Sequence, residues 1–259
     1  EFIRVFTAGF SLAGLHATGI RRLPLGFAAN GQGPGEETET MVGTSRWWVW
    51  GSVVSAAAVC TSGAWGAGSA EAGKAKAAAC MACHGPDGNS LADMWPKLAG
   101  QLPQYLRKQL HDFKAGRRKN EQMSPMAQPL SDQDIDDLSA FFSSQKANQA
   151  AVTKKELLAA GEKIYLKGKG RPDVVPACVG CHGMTGAGKA DWAMTMKVPP
   201  TTLAPALGGQ HPAYTAAQLT AYKGGTRAND EAHVMRDVAG RLNASEIAAV
   251  AEYAATLSR

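Results

Sequence analysis

Two stretches set two thiols and an imidazole at one fixed spacing: Cys80-Met81-Ala82-Cys83-His84 and Cys178-Val179-Gly180-Cys181-His182. Thiols three residues apart fall on one helical turn. Both can then form thioethers to the two vinyl groups of one porphyrin, and the adjacent His lies under the iron with a nitrogen to coordinate it. This is the attachment signature of c-type haem. The sequence therefore predicts two covalently bound haem c groups, held by Cys80, Cys83, Cys178 and Cys181, with His84 and His182 as axial ligands. Other thiol chemistries fit less well. Four cysteines could hold zinc, but the pairs lie 98 residues apart and zinc needs no His after each pair. A redox dithiol sits beside a strand–helix unit, and no strand pattern precedes either pair.

A haem iron with one protein ligand binds small molecules, whereas one with two is normally an electron carrier. A distal Met raises the reduction potential, because the soft thioether favours ferrous iron. The candidates are Met81, Met94, Met123 and Met126 in the first half and Met184, Met194, Met196 and Met235 in the second. An internal repeat chooses among them. Pro96 to Asn120 recurs as Pro205 to Asn229 at a constant offset of 109. Gln101, Pro103, Tyr105, Gln109, Leu110, Lys114, Gly116, Arg118 and Asn120 all have identical counterparts in the second copy. Met123 lies seven residues before Leu130, and Met235 lies seven before Leu242, whereas Met126 faces Val238. Met123 and Met235 are therefore expected as distal ligands. Tyr105 and Tyr214 are candidates to hydrogen-bond haem propionates, with plain packing as the alternative. Lys114, Arg118, Lys223 and Arg227 are expected to face solvent, with propionate pairing as their alternative. Pro96 and Pro205 are candidates to accept the imidazole N–H, the kind of bond that tunes a metal ligand.

The elements that must position these residues are helical. Ala and Gly are abundant, aromatics are few and β-branched runs are absent, which favours helix. Each half follows one plan. The motif helix is approached through Ala72–Ala79 or Lys154–Lys167. A middle helix starts at Pro103 or Pro212, a residue suited to a first turn, and stops at Gly116 or Gly225. A last helix begins at Ser131 or Asn243, followed three residues on by Asp134 or Glu246 in capping-box spacing. Ile135, Leu138, Phe141 and Phe142 form an apolar stripe, repeated by Ile247, Val250 and Tyr253. The polar segment Ser143–Thr153 joins the halves.

The chain has 259 residues and a net charge of +5, too weak and too evenly spread for a nucleic-acid binder. Four of the five cysteines belong to the two motifs, so no disulfide framework is expected. Residues 1–40 lack a coherent pattern, and the first Met is Met41; this stretch is read as a non-native leader. Residues 41–70 read as a signal peptide, with Arg46 ahead of the apolar run Trp47–Cys60 and small residues after it. That run is shorter than the ~20 residues a spanning helix needs. The expected organisation is a first domain at 71–149, a second at 150–259, and export to the periplasm.

With two Cys-x-x-Cys-His domains, each bearing P-x-L-x-G-Q, Y-x-x-x-Q-L and a Met before a capped final helix, the chain resembles the dihaem class I cytochromes c of the cytochrome c4 family. Pro176-Ala177-Cys178-x-Gly180-Cys181-His182-Gly183 and Leu130-Ser131-Asp132-Gln133-Asp134 also fit. The resemblance covers about residues 70–259. It implies an all-α fold of two tandem class I cytochrome c domains related by a pseudo-twofold axis, with haem propionate edges facing across the interface. It implies a periplasmic carrier, soluble or peripherally membrane-associated, rather than an enzyme. Such carriers pass electrons from the cytochrome bc1 complex or another donor toward a terminal oxidase. The alternative is the dihaem cytochrome subunit of a larger periplasmic oxidoreductase, of the flavocytochrome sulfide dehydrogenase or alcohol dehydrogenase type. A dihaem peroxidase would need an iron without a distal ligand. One departure stands out: His182 to Pro205 spans 23 residues against 12 from His84 to Pro96. The extra segment near 190–202 carries Met194, Met196, Pro199 and Pro200, and it puts the role of Pro205 in question.

Overall fold

In the computed structural model, residues 68–191 and 203–259 are described, all within one compact unit spanning Cys60–Arg259. The expected leader, the expected signal peptide up to residue 67, Cys60, Met194 and Met196 lie outside the described residues. The first half is built from α1 (Ala70–Lys76), α2 (Ala78–His84), α3 (Pro103–Lys114), α4 (Met123–Ala127) and α5 (Asp132–Ser144). The second repeats it with α6 (Leu158–Lys167), α7 (Val179–His182), α8 (Pro212–Lys223), α9 (Val234–Gly240) and α10 (Ala244–Thr256). Strand pairing among the described residues is limited to the isolated bridges Lys169↔Val175 and Lys189↔Ala204. Among these residues no helix is long and apolar enough to cross a membrane.

Each half closes by crossing its first helix over its last, α1 on α5 and α6 on α10. A glycine permits each crossing. A Cβ on Gly73 would sit 2.0 Å from the Asp137 carbonyl oxygen, and one on Gly161 2.0 Å from that of Ala249. The middle helix then packs against the last, α3 on α5 and α8 on α10. The apolar stripes face inward as their spacing requires. Ala77, Leu106, Leu138, Phe141 and Phe142 form one core, and Ile164, Tyr165, Val175, Leu242, Ile247 and Val250 the other. Each large apolar side chain so buried contributes roughly 1.5–3 kcal/mol.

Helix ends are set locally. Pro103 and Pro212 open α3 and α8. Gly116 and Gly225, with φ of +70° and +73°, take the left-handed turn just past each helix that other residues avoid. Full capping boxes start the last helices, Ser131 with Asp134 and Asn243 with Glu246. The approach to the second motif differs from expectation. Helix α6 ends at Lys167, and a short excursion pinned by the Lys169↔Val175 bridge intervenes before α7.

Candidate functional site

The two motif histidines sit in matching settings. His84 Nδ1 lies 2.9 Å from the Pro96 carbonyl oxygen, and His182 Nδ1 lies 2.8 Å from that of Pro205. A carbonyl can only accept, so Nδ1 carries the proton in both rings and Nε2 keeps its lone pair. Both imidazoles are buried, and burial lowers their pKa values against the opposing pull of the carbonyl bond. Both are therefore neutral near pH 7, the form that ligates a metal. Among the described residues neither Nε2 has a hydrogen-bond partner.

The thiols flank these rings on one helical turn. Cys80 and Cys83 lie within α2. Cys178 is the N-cap of the four-residue α7, which carries Cys181. Burial raises the Cys80 pKa and lifts that of Cys178 to about 11, so both are thiols. Half-buried Leu98, Leu110 and Leu130 pack on the same core as Cys80, and Leu207, Leu219 and Val238 on the same core as Cys178. Two thiols, one lone pair and an apolar wall fit a covalently held porphyrin with an axial nitrogen. A shared zinc site does not fit, since no group of three or more His, Cys, Asp or Glu among the described residues is placed to hold a metal ion.

The longer second loop leaves this arrangement intact. Leu98 N–H donates to Gly88 O at 2.7 Å, and Leu207 N–H donates to Gly186 O at 2.7 Å. Lys189 and Ala204, on either side of the added residues in sequence, pair backbone to backbone. Pro205 thus keeps the place of Pro96 despite the insertion.

Met123 is the first residue of α4, half-buried, with its N–H held by Asn120 Oδ1 at 2.8 Å. Met235 is half-buried on α9. The chain reaches α9 through Ala232 and His233, whose φ values of +52° and +58° are unusual for residues with a Cβ. By contrast Met126, Met94 and Met184 are 43%, 62% and 66% exposed, and Met81 packs on the first core.

Of four side chains expected to face solvent, Lys223 is exposed, Lys114 and Arg118 are half-buried and Arg227 is buried, and all four are hydrogen-bonded. Lys114 Nζ donates to Leu130 O, and Lys223 Nζ donates to Leu242 O at 2.5 Å and Gly240 O at 3.1 Å. These bonds tie the end of each middle helix to the carbonyls that close each Met-bearing turn. Arg118 and Arg227 cross between the halves. Arg227 is buried and donates to Tyr105 OH at 2.8 Å and to Gln109 at 3.1 Å. Arg118 donates to Tyr214 OH at 3.2 Å and to Gln218 at 2.8 Å. Burial would raise the Tyr105 pKa, but Arg227, Arg118 and Lys108 outweigh it and the net shift is downward. Both tyrosine hydroxyl oxygens thus accept from a guanidinium of the other half. Asn229 adds bonds to Gln109 at 3.0 Å and Asp112 at 2.7 Å.

Sequence reasoning passed over Gly73 and Gly161, though a glycine inside an Ala-rich helix is itself a packing signal. It also missed buried Tyr165, whose hydroxyl donates to Gly183 O at 2.7 Å and braces the turn after His182.

A family model described as cytochrome c matches residues 70–146 and 158–258. Cytochrome c4 of Thiocapsa roseopersicina is 47% identical over 194 residues, covering 74% of this chain and 94% of that protein. The crystal structure of reduced recombinant cytochrome c4 from Pseudomonas stutzeri matches with a TM-score of 0.66 at 46% identity, covering 74% of this chain and all of that one. A thiosulfate dehydrogenase electron acceptor of Stutzerimonas stutzeri is 37% identical, covering 71% of this chain and 81% of that protein.

Proposed function

The chain belongs to the cytochrome c family as a dihaem cytochrome c4, an electron-transfer protein with two covalently bound haem c groups, and we propose that it carries electrons in the periplasm through two His/Met-ligated irons toward a terminal oxidase. The observation that carries this reading is the matched pair of imidazole–carbonyl bonds, His84 to Pro96 and His182 to Pro205, at 2.9 and 2.8 Å.

The haem supplies a reversible one-electron iron couple, and the chain supplies its setting. Cys80 and Cys83 would tether one haem, and Cys178 and Cys181 the other. His84 and His182 present Nε2, with the ring plane and tautomer fixed by the proline carbonyls. Met123 and Met235 would each supply a thioether as the second protein ligand of an iron. The Lys114 and Lys223 ties hold the two Met-bearing turns closed. Tyr105 and Tyr214 would be the hydroxyl donors to haem propionates. The redox partners are proteins, with the cytochrome bc1 complex proposed as donor. Docking is expected to weaken with salt, since surface charges are screened over about 10 Å at 0.1 M ionic strength.

The test is substitution of each methionine in turn. Met123→Ala and Met235→Ala should each remove half of the near-infrared sulfur-to-iron band and lower one potential. An unchanged band in either variant would refute that ligand.

A second reading is the cytochrome partner of a larger periplasmic oxidoreductase, favoured by the likeness to a thiosulfate dehydrogenase electron acceptor. Co-purification with a dehydrogenase at fixed stoichiometry would decide for it, and a freely diffusing monomer that reduces an oxidase would decide against it.

A further inference from the structure

The P-x-L-x-G-Q segments carry a glutamine at their far end that reaches into the other half. Gln210 Oε1 accepts the Lys97 N–H at 2.9 Å, and its Nε2 donates to the Lys97 carbonyl at 3.0 Å. Reciprocally, Gln101 Oε1 accepts the Ala206 N–H at 2.8 Å, and its Nε2 donates to the Ala206 carbonyl at 2.9 Å. Both glutamines are buried, at 5% and 6% exposure, so these bonds compete with little water.

The peptide engaged is the informative part. The Lys97 N–H and the Pro96 carbonyl belong to one amide group, and that carbonyl accepts the His84 Nδ1 proton. The Ala206 N–H and the Pro205 carbonyl likewise share the amide that accepts from His182. An acceptor placed on an amide N–H pushes electron density to its carbonyl oxygen and makes it a stronger acceptor in turn. The imidazole behind it gains anionic character and basicity, which favours the oxidised metal.

We infer that Gln210 tunes the iron held by His84, and Gln101 the iron held by His182, so that each half sets the potential of the other's haem through a crossed Gln–amide–His relay. These glutamines are positioning residues acting through the amide. The inference rests on the His-ligated reading above. It makes the potentials a property of the closed interface, since parting the halves breaks both relays at once.

The test uses the full-length holoprotein, with Gln210→Met and Gln101→Met read by spectroelectrochemistry and by NMR of the two His Nδ1–H resonances in the reduced state. Gln210→Met should raise the potential of the first half's haem, by a few-fold in its one-electron equilibrium constant, and move the His84 Nδ1–H signal while leaving that of His182 in place. Gln101→Met should do the opposite. Gln210→Glu keeps a charged acceptor on the Lys97 N–H and should return the first potential to the wild-type value or below it, which guards against a variant that folds poorly. Equal movement of both haems in each variant, or movement of the haem in the substituted half alone, overturns the relay and leaves the glutamines as interface tethers. A wild-type protein lacking a His-bound low-spin spectrum overturns the ligand assignment itself, a result separate from the pattern among variants.

Discussion

The Arg227 guanidinium of the second half donates to the Tyr105 hydroxyl of the first at 2.8 Å. Arg118 and Tyr214 make the same contact in the reverse sense at 3.2 Å. The two are not equal, because Arg227 is buried and Arg118 only half-buried. Arg227→Met would leave the Tyr105 hydroxyl and Asn229 Oδ1 short of a donor in a dry interface, while Gln109 and Gln218 keep Arg118. Each orphaned polar group costs about 1–3 kcal/mol, so Arg227→Met should destabilise by several kcal/mol and Arg118→Met by clearly less. Denaturant unfolding of the holoprotein measures both; equal losses would contradict this account of the interface.

The Gly161 crossing gives a steric prediction. Gly161→Ala drives a methyl against the Ala249 carbonyl oxygen, 2.0 Å away before relaxation. The loss should be at least about 3 kcal/mol, the upper part of the range for overpacked cores. Gly170→Ala is the control, because nothing lies within 4 Å of the added carbon. A thermal melt in which the two variants match would remove the close-approach argument.

Much of this was legible before folding was considered. Cys-x-x-Cys-His, the constant repeat offset and the two capping boxes are local patterns, and local patterns survive in sequence. The candidate carbonyls of Pro96 and Pro205 were readable because the repeat marked both. The solvent-facing expectation for Lys114, Arg118 and Arg227 failed for a physical reason. Their partners lie on other elements, up to 122 residues away for Arg227 and Tyr105, and a contact made once across an interface leaves no periodicity. The short helices α4 and α9 escaped notice because five and seven residues carry too little amphipathic signal. Asn120 holds Met123 at its start, whereas its counterpart Asn229 is used at the interface, so the repeat itself diverges there.

Acid should loosen the first half at a known point. The Lys76 ammonium, the Ser69 N–H and Gln133 all bond the Asp137 carboxylate and outweigh burial, holding its pKa below the usual value. A carboxyl depressed in the folded state stabilises above its unfolded pKa of about 3.9, and that contribution is lost as pH falls through the folded value. Asp137→Asn should lower stability at neutral pH and flatten its decline below about pH 4. A pH series of unfolding midpoints with parallel curves for variant and parent would contradict the assignment.

Lys223 fastens the carbonyls of Gly240 and Leu242 behind Met235. Lys223→Met should let that turn open more often, so that the ferrous second site takes up carbon monoxide faster than the parent while the first site does not change. Stopped-flow carbon monoxide uptake reads this directly, and identical rates would remove the lysine from the distal architecture.

The most direct measurement is a spectroelectrochemical titration of the purified protein with pyridine haemochrome quantitation. Two covalent haems per chain, both low-spin and both bearing the sulfur-to-iron band until reduced, are the predicted result. Fewer than two tethered haems, or a spectrum lacking sulfur ligation at both irons, would contradict the account.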